Sequence, residues 1–161
     1  MRDPHINLVG EPSPRPFINE GARPIAISAF DPRLDRERIQ RLRAAMPWIR
    51  RLILEADPQC AACRDAFCAL PLRRSLEAVW TDPAVSISYT PSARVRGYTD
   101  IGTKLIVMTF DGLMRSPREI AATLLHELAH LNGAPAGATL MAESLLPRCG
   151  FADLYDPTAQ G

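Results

Sequence analysis

Two of the chain's three histidines lie four residues apart, in His126-Glu127-Leu128-Ala129-His130. On a helix, residues at i and i+4 share one face, so both imidazoles can turn toward one point. That pair suits a divalent metal ion, and the glutamate between them falls beside a water bound to it. A hydrolytic zinc site takes three protein ligands and keeps a fourth position open. His126 and His130 supply two. Glu143, in Met141-Ala142-Glu143-Ser144, is the carboxylate expected to be the third. Asp100, Asp111, Asp153, Asp156, Cys149 and His5 are the other candidates by ligand type.

Glu127 is the expected general base. Zinc brings the pKa of its water down to about 7 and polarises a carbonyl, and a carboxylate beside it can pass the proton to a leaving amine. The oxyanion formed on the way needs a further donor. Tyr98, in Arg96-Gly97-Tyr98-Thr99-Asp100, is one candidate and Tyr155 another, with half-buried packing as the alternative for both. Asn132 is placed to orient a metal-binding ring from behind. Set against all of this is a plain amphipathic helix whose histidines only pack. A structural zinc site is a middle case, but it would have no use for Glu127.

On His126 to His130, and more loosely on Ser116 to Cys149, the chain resembles the zincin superfamily of zinc metallopeptidases. The resemblance implies a peptide-bond hydrolase with a sheet above its active-site helix. In the glutamate-ligand branch, a glutamate from a later helix completes the metal site, which would here be Glu143.

The elements that must hold these residues are legible. Ser116 is an N-cap, Pro117 suits the first helical position and Glu119 completes a capping box. Ile120, Ala121, Leu124, Leu125 and Leu128 give this helix an apolar body, and Gly133 stops it. A further helix is expected over 138–146, carrying Glu143. Val85 to Thr90 alternates apolar and polar residues, which predicts a half-buried strand. The same alternation makes it the favoured edge for a peptide to join. Lys104 to Phe110 predicts a second, more buried strand. Residues 94–102 read as a loop and Asp111-Gly112 as a turn.

Upstream, Asp31 and Pro32 open a helix with Leu34, Ile39, Leu42 and Met46 on its apolar side, kinked or broken at Pro47. Further helices are expected over 58–70 and within 71–82. Residues 1–24, with Pro4, Pro12, Pro14, Pro16 and Pro24, read as an arm or linker leading into a packed domain over 25–161. The expected fold is α+β: mostly helical, with a short sheet packed over the helix of the histidine pair.

Composition narrows the field. At 161 residues and 47% hydrophobic content the chain can bury one real core. A formal net charge of +1 gives no bulk field for nucleic acid or an anionic membrane. Arginines cluster in the helix over 33–51, where a solvated face interleaved with Asp35 and Glu37 competes with a nucleic-acid or partner surface. That surface, with a non-catalytic zinc, is the alternative function; the leading one is a zinc metallopeptidase acting on a peptide or protein, in one form a bacterial toxin or effector domain. No apolar run is long enough to span a bilayer. Met1-Arg2-Asp3-Pro4-His5 lacks the apolar stretch of a secretory signal, so the expectation is a cytoplasmic chain, one exported by another route, or a domain of a longer chain.

Cys60, Cys63, Cys68 and Cys149 leave three readings open. They are one or two disulfides, with Cys149 tied back to the first cluster, free thiols, or a cysteine-only zinc site.

Overall fold

The structure is a computed structural model that describes residues 1–11, 16–20, 23–91, 95–136 and 140–157. Its elements run β1 (His5–Ile6), β2 (Phe17–Glu20), β3 (Arg23–Ala26), α1 (Arg36–Leu54), α2 (Pro58–Cys68), α3 (Leu76–Trp80), β4 (Ser86–Thr90), β5 (Gly97–Asp100), β6 (Leu105–Thr109), α4 (Phe110–Leu113), α5 (Pro117–Leu131) and α6 (Leu145–Arg148). A single 3-10 turn, Ala152–Leu154, follows. The fold is α+β.

Four strands form a mixed sheet in the order β1-β4-β6-β5. The first three are parallel, and β5 runs antiparallel to β6 with Tyr98 opposite Val107. Alternation along β6 splits its apolar residues between two layers. Ile106 and Met108 join Ile87 in the main core, with α1, α2, α3 and α5. Leu105 and Val107 meet the β2–β3 hairpin through Ile18 and Ile25, with Ile27 and Tyr98 packed alongside. The sheet is thus filled on both faces, which explains why β6 reads as an unbroken apolar run.

Several sequence expectations change here. The strand over Val85 to Thr90 is real but is not an edge, because β1 and β6 flank it. Its polar face is closed over: Ser88 and Thr90 are fully buried, and the buried Asn7 amide donates to Ser88 Oγ at 2.8 Å and Ser86 Oγ at 3.2 Å. Alternation therefore marks two different interior layers, not a wet face. The terminal strands of the sheet order are β1 and β5, and β5 falls in the stretch expected to be a loop. Its flanking Gly97 and Asp100 look like turn residues, but Tyr98 and Thr99 carry the β propensity.

Part of the proline-rich stretch over residues 1–24 is built into the domain. His5 and Ile6 pair with Ser86 and Ile87, and Asp3 accepts hydrogen bonds from buried Trp80 Nε1 at 3.2 Å and Arg50 Nε at 2.7 Å. Pro12 and Pro14 lie outside the described residues.

Helix α1 starts at Arg36, later than Asp31, because residues 31–35 close a separate turn in which Asp31 accepts from Arg33 N and Asp35 N bonds back to Asp31 O. Pro47 neither breaks nor divides the helix. It sits on the exposed side, where water can serve the carbonyl that loses its partner. Asp111-Gly112 belongs to the short α4, capped by Thr109.

A disulfide joins Cys63 of α2 to Cys149 just past α6, and Cys60 and Cys68 are free thiols. The reading that ties Cys149 back to the first cluster is the one the structure supports, and it leaves no cysteine-only zinc site.

Candidate metal centre

Helix α5 carries the histidine pair, and its ends are fixed by the features read from sequence. The Ser116 side chain accepts from Glu119 N, and Glu119 Oε2 accepts from Ser116 N at 3.1 Å, a complete capping box. At the other end Gly133 adopts φ +91°, and a Cβ there would lie 2.9 Å from Leu72 Cγ. Glycine is needed for both the backbone and the packing.

The two rings face each other. His126 Nε2 and His130 Nε2 are 3.1 Å apart, with the ring planes tilted 72°. Their other nitrogens are engaged elsewhere: His130 Nδ1 lies 2.8 Å from the Ala134 carbonyl, and His126 Nδ1 lies 2.9 Å from Glu143 Oε2. A carbonyl and a carboxylate only accept, so each Nδ1 carries the proton. The two Nε2 atoms then meet as acceptors 3.1 Å apart, and two lone pairs do not bond each other. A cation satisfies them, either a shared proton or a metal ion. Outward Nδ1–H bonds of this kind fix tautomer and ring orientation in metal-binding histidines. The donor set therefore fits zinc as two of its ligands. Burial opposes a charge on His126, but the hydrogen bond to Glu143 and the charges of Glu127 and Glu143 outweigh it, so its pKa is raised.

Glu143 is brought to the pair, though not as sequence reasoning had it. It lies in the turn ahead of α6, not on a helix over 138–146, and residues 137–139 fall outside the described set. Its Oε2 holds the far nitrogen of His126, while Oε1 accepts from Asp156 N at 2.8 Å. Both oxygens are engaged away from the Nε2 pair. Among the described residues, no Asp, Glu or Cys ligand atom lies within 4.8 Å of both Nε2 atoms. As placed, Glu143 orients His126.

Four of the other candidates are engaged elsewhere. Cys149 is in the disulfide. Asp111 pairs with Arg115, Asp153 with Arg118 and His5 with Glu11. Asn132 does not support either histidine ring. It is fully buried, and its amide donates to the carbonyls of Phe67 and Arg74 while accepting from Arg74 N, which locks the end of α5 to the loop after α2.

Glu127 is 4% exposed and lies beneath β5. Thr99 Oγ1 donates to its Oε2 at 2.7 Å. A Cβ on Gly97 would come within 2.8 Å of its Oε1. Gly97 and Thr99 share one face of β5, since alternate residues do. Tyr98 therefore points the other way, into the hairpin layer with Leu105 and Val107. Tyr98, expected as an oxyanion donor, thus packs on the hairpin side of the sheet, while Tyr155 is a partly exposed side chain near the C-terminal end. Thr99 is the residue sequence reasoning missed; recognising β5 as a strand would have turned it toward α5.

The arginine-rich face of α1 is largely tied down. Arg38 pairs with Asp35, Arg41 with Glu37, Arg50 with Asp3 and Arg51 with Glu55. Among the described residues, no helix is long and apolar enough to cross a membrane.

Compared with protein-family models, curated proteins and solved structures, the chain matches none.

Proposed function

We propose that this chain is a zinc-dependent metallopeptidase that hydrolyses peptide bonds, with a peptide or protein as substrate. One observation carries the reading: two histidine Nε2 atoms lie 3.1 Å apart on the same helix as a buried carboxylate held one residue from His126. His126 and His130 would hold the metal, with Glu143 and the Ala134 carbonyl fixing the two rings. Zinc held there supplies Lewis acidity toward the scissile carbonyl and toward water. Glu127 takes a proton from the attacking water and returns it to the leaving amine. Strand β5, terminal in the sheet order, is the place where an extended substrate would add as a strand.

The alternative, a partner- or nucleic-acid-binding module built on α1, has less support because the arginines there are mostly ion-paired. A delivered toxin or effector domain is one setting for the proposed activity.

The test pairs metal analysis with the variant Glu127→Gln. The expected result is about one zinc per chain in both proteins, peptide cleavage by the wild type, and a loss of about 100-fold or more in the variant. Full activity in Glu127→Gln sinks the mechanism. A wild-type protein that takes up no zinc sinks the metal site.

A further inference from the structure

We infer that Thr99 is the positioning residue for Glu127, and that Gly97 and Thr99 together form a clamp holding this carboxylate in one orientation. The inference rests on the metallopeptidase reading and deepens it. A glutamate side chain has three rotatable bonds, and a base that wanders among rotamers spends little time in line with its proton. Here both ends of the carboxylate are constrained from the same strand. Thr99 Oγ1 donates to Oε2 at 2.7 Å and lies 3.1 Å from the Glu127 backbone carbonyl, so one hydroxyl sits against both the head and the root of the same residue. Oε1 fits beneath Gly97, where any side chain would collide with it and with Cγ, at 2.8 and 3.1 Å.

The arrangement is specific to the face of β5 that looks at α5. Gly97 and Thr99 occupy the two positions of that face, while Tyr98 and the Val107 opposite it fill the other layer. A methyl in place of the Thr99 hydroxyl would leave Oε2 of a buried carboxylate without its donor. A methyl on Gly97 would push Glu127 away from the strand. The clamp works from β5, a terminal strand of the sheet order, so a substrate adding along that strand would act on the same backbone segment that orients the base.

The test compares Thr99→Val, Thr99→Ser and Gly97→Ala in the full chain. Thr99→Val is expected to lower kcat on a quenched-fluorescence peptide by about 10- to 100-fold with KM and zinc content unchanged. Thr99→Ser, which keeps the hydroxyl, is expected to restore kcat to within about threefold of wild type. Gly97→Ala is expected to lose activity while keeping its zinc. A second measurement needs no turnover: thermal unfolding of Thr99→Val, Glu127→Ala and the double variant. The expected Tm loss is about 2–4 °C for Thr99→Val in the wild-type background and near zero beside Glu127→Ala. Active Thr99→Val with wild-type kcat, or additive unfolding effects, overturns the role of Thr99. A wild-type protein that binds zinc and cleaves no peptide overturns the peptidase reading and the catalytic meaning of the clamp, even where the coupling persists.

Discussion

Glu143 Oε2 lies 2.9 Å from His126 Nδ1, on the side of the ring away from His130. The carboxylate thus orders a histidine instead of sharing the point at which the two histidines meet. Its other oxygen receives the Asp156 amide, so Glu143 joins the C-terminal segment to α5, as the Arg118–Asp153 pair does farther up the helix.

That placement separates two roles by magnitude. Glu143→Ala should weaken zinc binding by about 10- to 100-fold, the usual cost of losing a partner that orients a metal-binding histidine. Glu143→Gln, which can still accept from Nδ1–H, should lose less. Competition with a chelator of known affinity reads both. A loss of several further orders of magnitude in Glu143→Ala would show the carboxylate to be a ligand itself.

Tyr98→Phe should leave kcat within about twofold of wild type, because the residue packs under the hairpin and not over α5. Steady-state kinetics on the same peptide checks this. A drop of about 100-fold, the scale of a lost oxyanion donor, would return Tyr98 to the site.

The difference between these two residues shows where the sequence was legible. The capping box at Ser116, the Gly133 stop and the four-residue histidine spacing are local, and each was readable because one turn of helix decides it. The α+β class followed from counting such segments. Thr99 was hidden because β5 is four residues long, bounded by Gly97 and Asp100, and owes its existence to pairing with β6. The inward Ser88 was misread as a wet face because the donor that satisfies it, Asn7, lies far off in sequence. Glu143 was found by residue type, but its side of the ring depends on how α6 docks, which no local pattern encodes.

The Cys63–Cys149 bond closes a span of 86 residues and pins the segment that follows Glu143. Replacing both cysteines by serine should cost about 2–4 kcal/mol of stability, chiefly through the greater freedom of the unfolded chain. Denaturant unfolding with and without a reducing agent measures it. Reduction should shift the wild-type midpoint toward that of the variant and leave the variant unmoved.

Stability should also fall in acid through Asp82. Hydrogen bonds from Lys104 at 2.8 Å, from Ala84 N and from Arg74 at 2.9 Å hold its carboxyl down at about 2, below the ordinary 3.8. A lowered folded-state pKa means that the stabilisation is full above about pH 4 and is lost as pH falls toward 2. Asp82→Asn should therefore cost about 1–2 kcal/mol at neutral pH, after allowance for the exposed heads of its partners, and almost nothing near pH 2. Unfolding curves of both proteins between these limits give the result, and a constant gap would contradict it.

The parallel pairing of His5–Ile6 with Ser86–Ile87 has a consequence for how the chain assembles. Asn7 and its partner Ser88 are 81 positions apart, so residues made early have no place to dock until β4 exists. Contacts this distant close late, after local helices such as α1 and α2 have formed. The seam between the beginning of the chain and the middle of the sheet is thus among the last to be sewn. It is also where a slow folding step should register a change in Asn7.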